Sequence, residues 1–270
     1  MFELQSGRSI IEIRGDLPAN FLQKLISNDI VENKYCYTYM LNNQGRYLFD
    51  FFVHNLDSRT VLIDIASGPA TELISKLNFY KLRTNVTITT NNDYNIIYSK
   101  KELSKNAICS YRDPRFNLLG FRSVVEKGAY HPDDNTEGLY LHDKYEHTIP
   151  DGDIDLIAGK SIPVEYGAEE LHSIDYNKGC YVGQEVISRT KYQGVVRKKI
   201  YKIISEDSLN LKENMTEVKS GDRVLGTTCS YYKNLGIALI REENFENVQN
   251  DPITIANFPV KLIIPQWRQI

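Results

Sequence analysis

The sequence predicts an α+β protein that ends in a small antiparallel β-barrel, and three patterns predict it. Between Pro18 and Val53 a helical period gives way to a hairpin. From there to Tyr98 strand-like runs dominate, broken by one helical stretch. After Gly194 short β-rich pieces succeed one another with turn residues between them, as in a small barrel.

The elements follow in order. Asp16 stands ahead of a helix over Pro18 to Ile26, with Leu22, Leu25 and Ile26 on one face. Tyr37 to Leu41 and Tyr47 to Val53 flank the turn residues Asn42, Asn43, Gln44 and Gly45, which predicts a hairpin. Thr60 to Ile65 is a strand that stops before Gly68-Pro69, and Ala70 to Tyr80 carries Leu73, Ile74 and Leu77 at helical spacing. Val86 to Ile88 and Tyr94 to Tyr98 are strands around an Asn-rich turn. The barrel pieces are Val195 to Ile204, Arg223 to Ser230, Leu235 to Ile240, Pro252 to Ile255 and Val260 to Ile264.

The chain has 270 residues, 41% hydrophobic and 25% charged, enough for two or three packed units. Its apolar runs fall short of the ~18 residues of a membrane helix. Strand-like sequence begins at Ser9 without a leader pattern before it, so the expected compartment is the cytoplasm. A net charge of −3 argues against general nucleic-acid binding. Cys36, Cys109, Cys180 and Cys229 form no C-x-x-C pair, and His54, His131, His142, His147 and His172 form no ligand pair, so no resident metal is expected. Asp151-Gly152-Asp153-Ile154-Asp155 begins like a calcium loop, but Leu156 replaces the turning glycine and Ile162 the bidentate glutamate. It reads as a solvated turn. The glycosylation-type triplets at Asn85 and Asn214 are incidental in a reducing compartment.

Chemistry concentrates in Lys178-Gly179-Cys180-Tyr181-Val182-Gly183-Gln184-Glu185. Two glycines beside one thiol predict a tight turn, with a helix or an extended segment continuing through Val186, Ile187 and Arg189. Lys178 and Arg189 provide surroundings that favour a thiolate. Cys180 is thus either a reactive thiol or, as most free cysteines are, a small buried hydrophobe. Asp113-Pro114-Arg115 also has two readings: a guanidinium aimed at a ligand carboxylate, or a structural ion pair across a turn. Asn28-Asp29 reads as a helix stop on turn preference alone.

The octet with Arg189 resembles the K-G-C-Y-x-G-Q-E…R signature of the YgfZ-type folate-binding proteins, a branch of the glycine-cleavage T-protein (aminomethyltransferase) superfamily that assists iron–sulfur cluster assembly. Phe21 to Ile30, Leu41 to Arg46, Asp113 to Arg115 with Leu119 to Arg122, and Ile162 to Glu165 resemble further family segments in the expected order. The resemblance spans about three quarters of the chain. It implies a T-protein-like ring of three units: a discontinuous central α+β domain (1–45 and 112–194), an inserted α+β domain (46–111) and a C-terminal barrel (195–270).

It also implies tetrahydrofolate or a derivative as ligand, with Asn28, Asp29, Tyr47, Phe49, Arg115 and Tyr181 as contacts and Phe51 as further aromatic surface. Cys180 is the implied functional thiol, with Lys178 tuning it and Gln184 and Glu185 fixing its turn. The implied partners are iron–sulfur assembly proteins and client enzymes, including radical enzymes that modify tRNA, served by a monomer without classical turnover. Where T-proteins resemble L-N-x-x-G-G-x-x-D-D, this chain has Arg46 for the second glycine and Phe49-Asp50 for the aspartate pair, which argues against aminomethyl transfer. The alternatives are a folate-dependent one-carbon enzyme using Asp29 or Asp50, and a non-catalytic interaction scaffold. No helical span and no membrane partner is expected.

Overall fold

The structure is a computed structural model that describes residues 1–130, 136–209, 211, 215–248 and 251–269. His131 and Asn214 lie outside the described residues. Period-two runs rich in Ile, Val, Tyr and Phe form strands that collect into two sheets and a closed barrel. β2 (Arg8–Gly15), β3 (Tyr35–Leu41), β4 (Tyr47–Asp57), β5 (Thr60–Ala66) and β6 (Val86–Asn91) form a five-stranded antiparallel sheet in the order β3-β4-β5-β2-β6. β1 (Phe2–Leu4), β7 (Tyr94–Ser99), β8 (Ala107–Arg112) and β9 (Phe121–Glu126) form a second sheet, β1-β7-β9-β8. The closed barrel runs β10 (Lys198–Ser205), β13 (Leu235–Arg241), β12 (Arg223–Tyr232), β11 (Glu217–Ser220), β14 (Ile253–Ile255), β15 (Phe258–Ile263). The α+β class with a C-terminal antiparallel barrel is therefore as the sequence predicts.

Two of the expected domain edges cross hydrogen-bonded strands. A cut at 45/46 would part β3 from β4, which pair from Tyr35↔His54 to Leu41↔Tyr47. A cut at 111/112 falls inside β8. Each hairpin or strand is one hydrogen-bonded unit, so a domain boundary cannot run through it.

Among the described residues six α-helices join these sheets: α1 (Pro18–Gln23), α2 (Ala70–Lys81), α3 (Leu139–Glu146), α4 (Gly152–Asp155), α5 (Gln184–Gln193) and α6 (Glu242–Glu246). α1 and α2 cover one face of the five-stranded sheet, where Leu22, Leu73 and Leu77 pack against Ile11, Phe51, Val53 and Ile63. The opposite face builds a second core with Tyr37, Phe52, Tyr111, Tyr145 and Trp267. Trp267 ties the end of the chain to this core by donating to the carbonyls of His147 and Thr148 at 3.1 and 3.2 Å.

Charge, not only apolar area, joins the two sheets. Asp64 on β5 is fully buried and accepts from Arg8 Nε at 2.6 Å and Arg122 Nη2 at 2.7 Å. The Arg122 guanidinium lies 4.0 Å over the Phe52 ring. Burial alone would raise the Asp64 carboxyl, but Arg122 and Arg8 outweigh it and hold the pKa at about 2. A depressed carboxylate contributes stability above its unfolded value near 4 and loses it as pH falls toward 2. We therefore expect Asp64→Asn to lose about 3–5 kcal/mol at neutral pH, because two buried cations lose their counter-charge. Urea unfolding at pH 7, 4 and 2.5 checks this: the variant should show a shallower acid slope than the wild type, and equal slopes would refute the assignment.

Candidate functional site

The octet lies where the five-stranded sheet, α1 and α5 meet. Val182 donates its amide to the Lys24 carbonyl at the end of α1, and α5 starts immediately after Gly183. Of the two expected backbone roles for glycine, only Gly183 has one. Its φ is +85°, and an added Cβ would stand 2.6 Å from the Asn42 carbonyl oxygen, so the hairpin turn and the octet touch backbone to backbone. Around Gly179 there is open space. The result is an exposed Cys180 between a buried Lys178 and a buried Tyr181.

Lys178 is the anchor. Its ammonium donates to the carbonyls of Gln23, Ile26 and Asn28 at 2.8, 2.7 and 2.7 Å, using all three of its protons. Burial pushes it down to about 8, opposed by Asp29, so it remains an ammonium at neutral pH. This corrects the expected tuning role: with its donors committed to carbonyls, Lys178 has none for the thiol. It holds the loop in place and leaves Cys180 outside. Gln184 Oε1 accepts the Tyr181 amide at 3.3 Å, while Glu185 is exposed in the first turn of α5. Lys178→Met should destabilise by about 2–3 kcal/mol through unpaired carbonyls, and speed hydrogen exchange at Val182. Unchanged exchange would show that the anchor is not what fixes the loop.

The other cysteines are enclosed. Cys36 and Cys229 are buried, and burial raises the Cys36 thiol to about 12. Cys109 is partly exposed, raised by burial to about 11, with its Sγ 3.6 Å from His54 Nδ1. Burial also lowers His54 to about 4, so this is a neutral pair.

The expected folate contacts do not assemble into a ligand site. Asn28 gives both amide protons to the Tyr37 and His172 carbonyls at 2.8 and 2.7 Å. Asp29 accepts from the amides of Val31 and Glu32 and from Gln23 Nε2, which is the helix-stop role. Tyr181 is buried in the larger core. A register shift beside Met40 and Leu41 sends Tyr47 to the face opposite Phe49. Phe49 and Phe51 pack under the helices, so the expected aromatic surface is split between two cores.

Arg115 is the clearest correction. It is fully buried, makes a forked pair with Asp113 at 2.9 and 2.7 Å, and donates to Asp151 Oδ1 at 2.8 Å. Its guanidinium sits 4.9 Å over both Tyr37 and Phe52. Of the two readings, the structure shows the ion pair. The supposed solvated turn is corrected with it: Asp151 and Asp155 are buried, and Lys144 lies 3.3 and 2.9 Å from their carboxylates. Ser230 on β12 donates to Asp155, which connects the barrel to this network. Proline at 114 and the spacing of Asp151 and Asp155 were the only sequence signals for it.

Asp50 stands where the T-protein resemblance placed an acid/base. Its oxygens accept from Tyr37 at 2.7 Å and Tyr47 at 2.9 Å. Gly152 backs it so closely that a Cβ there would lie 2.1 Å from Oδ1. A carboxylate with both oxygens committed and its back covered by main chain is a structural acceptor. Near it Asp153 is raised to about 6, by burial and then by Asp50 and Asp151. Among the described residues no group of three His, Cys, Asp or Glu side chains is placed to hold a metal ion.

Comparison with known proteins agrees with this architecture. The CAF17 C-terminal β-barrel domain family matches residues 197–269. The iron-sulfur cluster assembly factor IBA57 homologue, mitochondrial, of Pyricularia oryzae is 28% identical, over 98% of this chain and 84% of its own. Human IBA57 is 26% identical, over 97% and 83%. The Mycosarcoma maydis homologue is 30% identical over 72% of this chain and 54% of its own. Aminomethyltransferase T of the glycine cleavage system from Bartonella henselae has the same fold, with a TM-score of 0.76, 98% of this chain and 85% of that chain covered, and 10% identity. The chain is thus similar along nearly its whole length to IBA57-type assembly factors, on a T-protein-like fold with a CAF17-type barrel.

These relatives overturn the cytoplasmic expectation. They are named as mitochondrial proteins, which points to that compartment instead. No helix among the described residues is long and apolar enough to cross a membrane.

Proposed function

We propose that this chain is an accessory factor of iron–sulfur cluster assembly, working as a monomer through Cys180. One observation carries the reading: an exposed thiol on a loop that a fully committed buried ammonium fixes in place, in a chain similar to assembly factors of that name. A lone thiol cannot complete a cluster's ligand set, so a cluster at Cys180 would take its remaining ligands from a second protein. Lys178 and Gly183 fix where that second protein must approach. Depleting the protein should lower the activities of cluster-dependent enzymes while leaving cluster-free enzymes unchanged. Equal loss in both groups would overturn the proposal.

The YgfZ-type resemblance adds a finer reading: tetrahydrofolate as ligand and tRNA-modifying radical enzymes among the clients. The octet favours it. The six named contacts do not fit as a folate site, since the polar groups of Asn28, Asp29, Tyr47 and Arg115 are paired within the protein, Tyr181 is buried in a core and Phe49 lies under the helices. Calorimetry with tetrahydrofolate separates the two: the paired contacts predict no saturable heat at millimolar ligand, and saturable binding would restore the folate reading. Aminomethyl transfer is not proposed, given the commitment of Asp50 to Tyr37 and Tyr47.

A further inference from the structure

Helix α1 borders two features. Its C-terminal carbonyls at Gln23 and Lys24 hold the Cys180 loop. Its flank opens on a cleft of about 990 Å³ between α1 and the end of α2. The lining is largely apolar, with Leu17, Phe21, Leu25, Tyr80 and Leu82. Leu17 is 57% exposed and Leu82 88% exposed. Both take positive φ, 48° and 41°, where a leucine side chain meets its own backbone. Two large apolar side chains are thus held in water at sterically unfavourable positions facing one concavity, which packing of this chain does not explain.

The cleft is also charged in one sense. Lys24, Lys81 and Arg83 line it, and none of them enters an ion pair among the described residues. Its one carboxylate, Asp16, already accepts from Asn85 and lies 3.4 Å from Arg59. An apolar floor between unpaired cations is complementary to an acidic peptide segment carrying large apolar anchors. A concave shape suits a segment better than it suits a flat bilayer.

We propose that this cleft docks an acidic, apolar-anchored segment of a partner protein, bringing that partner's cluster or sulfur ligands to the thiol on the neighbouring loop. This deepens the assembly-factor reading and rests on it.

The test begins with a benzophenone amino acid placed at position 82 of the full chain in cells, with the photo-crosslinked peptide mapped by mass spectrometry. We expect adducts to a net-acidic segment. A synthetic peptide of that mapped sequence should bind the wild-type chain and lose at least about tenfold in affinity to a K24E/K81E/R83E variant. The variant's melting temperature is the control for folding, and exchanging the peptide's glutamates for lysines should restore binding to it. Adducts only to neutral or basic segments, the absence of a protein adduct, or affinity indifferent to charge reversal would each overturn the proposal. Charge-dependent co-sedimentation with phosphatidylglycerol vesicles, without peptide binding, would overturn it in favour of a membrane surface. Cys180→Ala should leave peptide affinity unchanged. Failure of docking and failure of the thiol reading are therefore separately visible.

Discussion

Arg115→Met should lower the unfolding free energy by about 3–5 kcal/mol, because removing one member of a buried ionic network strands the others. Asp113 would lose a forked partner, and Asp151 would keep only Lys144 and the Tyr140 hydroxyl. The lost cation also leaves the faces of Tyr37 and Phe52. For a chain whose total stability is on the order of 5–15 kcal/mol, that is a large fraction. Chemical denaturation of purified wild type and variant measures it. A loss below about 1 kcal/mol would mean that the network is solvated and that Arg115 is free to meet a ligand.

The second large effect is on function and not on folding. Cys180→Ala should abolish the contribution to cluster-dependent enzymes while changing stability by no more than about 0.5 kcal/mol, as expected of a surface substitution. Iodoacetamide should label Cys180 ahead of Cys36, Cys109 and Cys229. Its sulfur is exposed, whereas Cys36 and Cys229 are buried and burial raises the thiols of Cys36, Cys109 and Cys229. Slow labelling of Cys180 together with a large fall in melting temperature would show it to be a packing residue.

The sequence disclosed elements better than contacts, for identifiable reasons. Hairpin β3–β4, helix α2 and the barrel are local: turn residues and a period of two or 3.6 determine them. β8 and β9 escaped because Cys109, Ser110, Arg122 and Ser123 interrupt their apolar alternation, and their pairing is mutual. Cys180 was legible because its neighbours set its exposure. Lys178 was not, since its three acceptors come from residues about 150 positions away. Phe49 failed for a subtler reason. One extra residue in β4 reverses the face of every side chain beyond it, so Tyr47 and Phe49 diverge although their spacing says they should not. Arg115 and Asp151 look like surface chemistry in a linear reading. Only the fold shows that the acids and bases neutralise one another in the interior.

We propose that an exposed, anchored thiol does this protein's work, and complementation in cells tests it. In cells lacking the chromosomal copy, wild type and Cys180→Ala are expressed to equal level, and cluster-dependent enzyme activities are compared with a cluster-free control enzyme. The wild type should restore the cluster-dependent activities, Cys180→Ala should not, and the two proteins should melt at the same temperature. Restoration by Cys180→Ala to the wild-type level would contradict it.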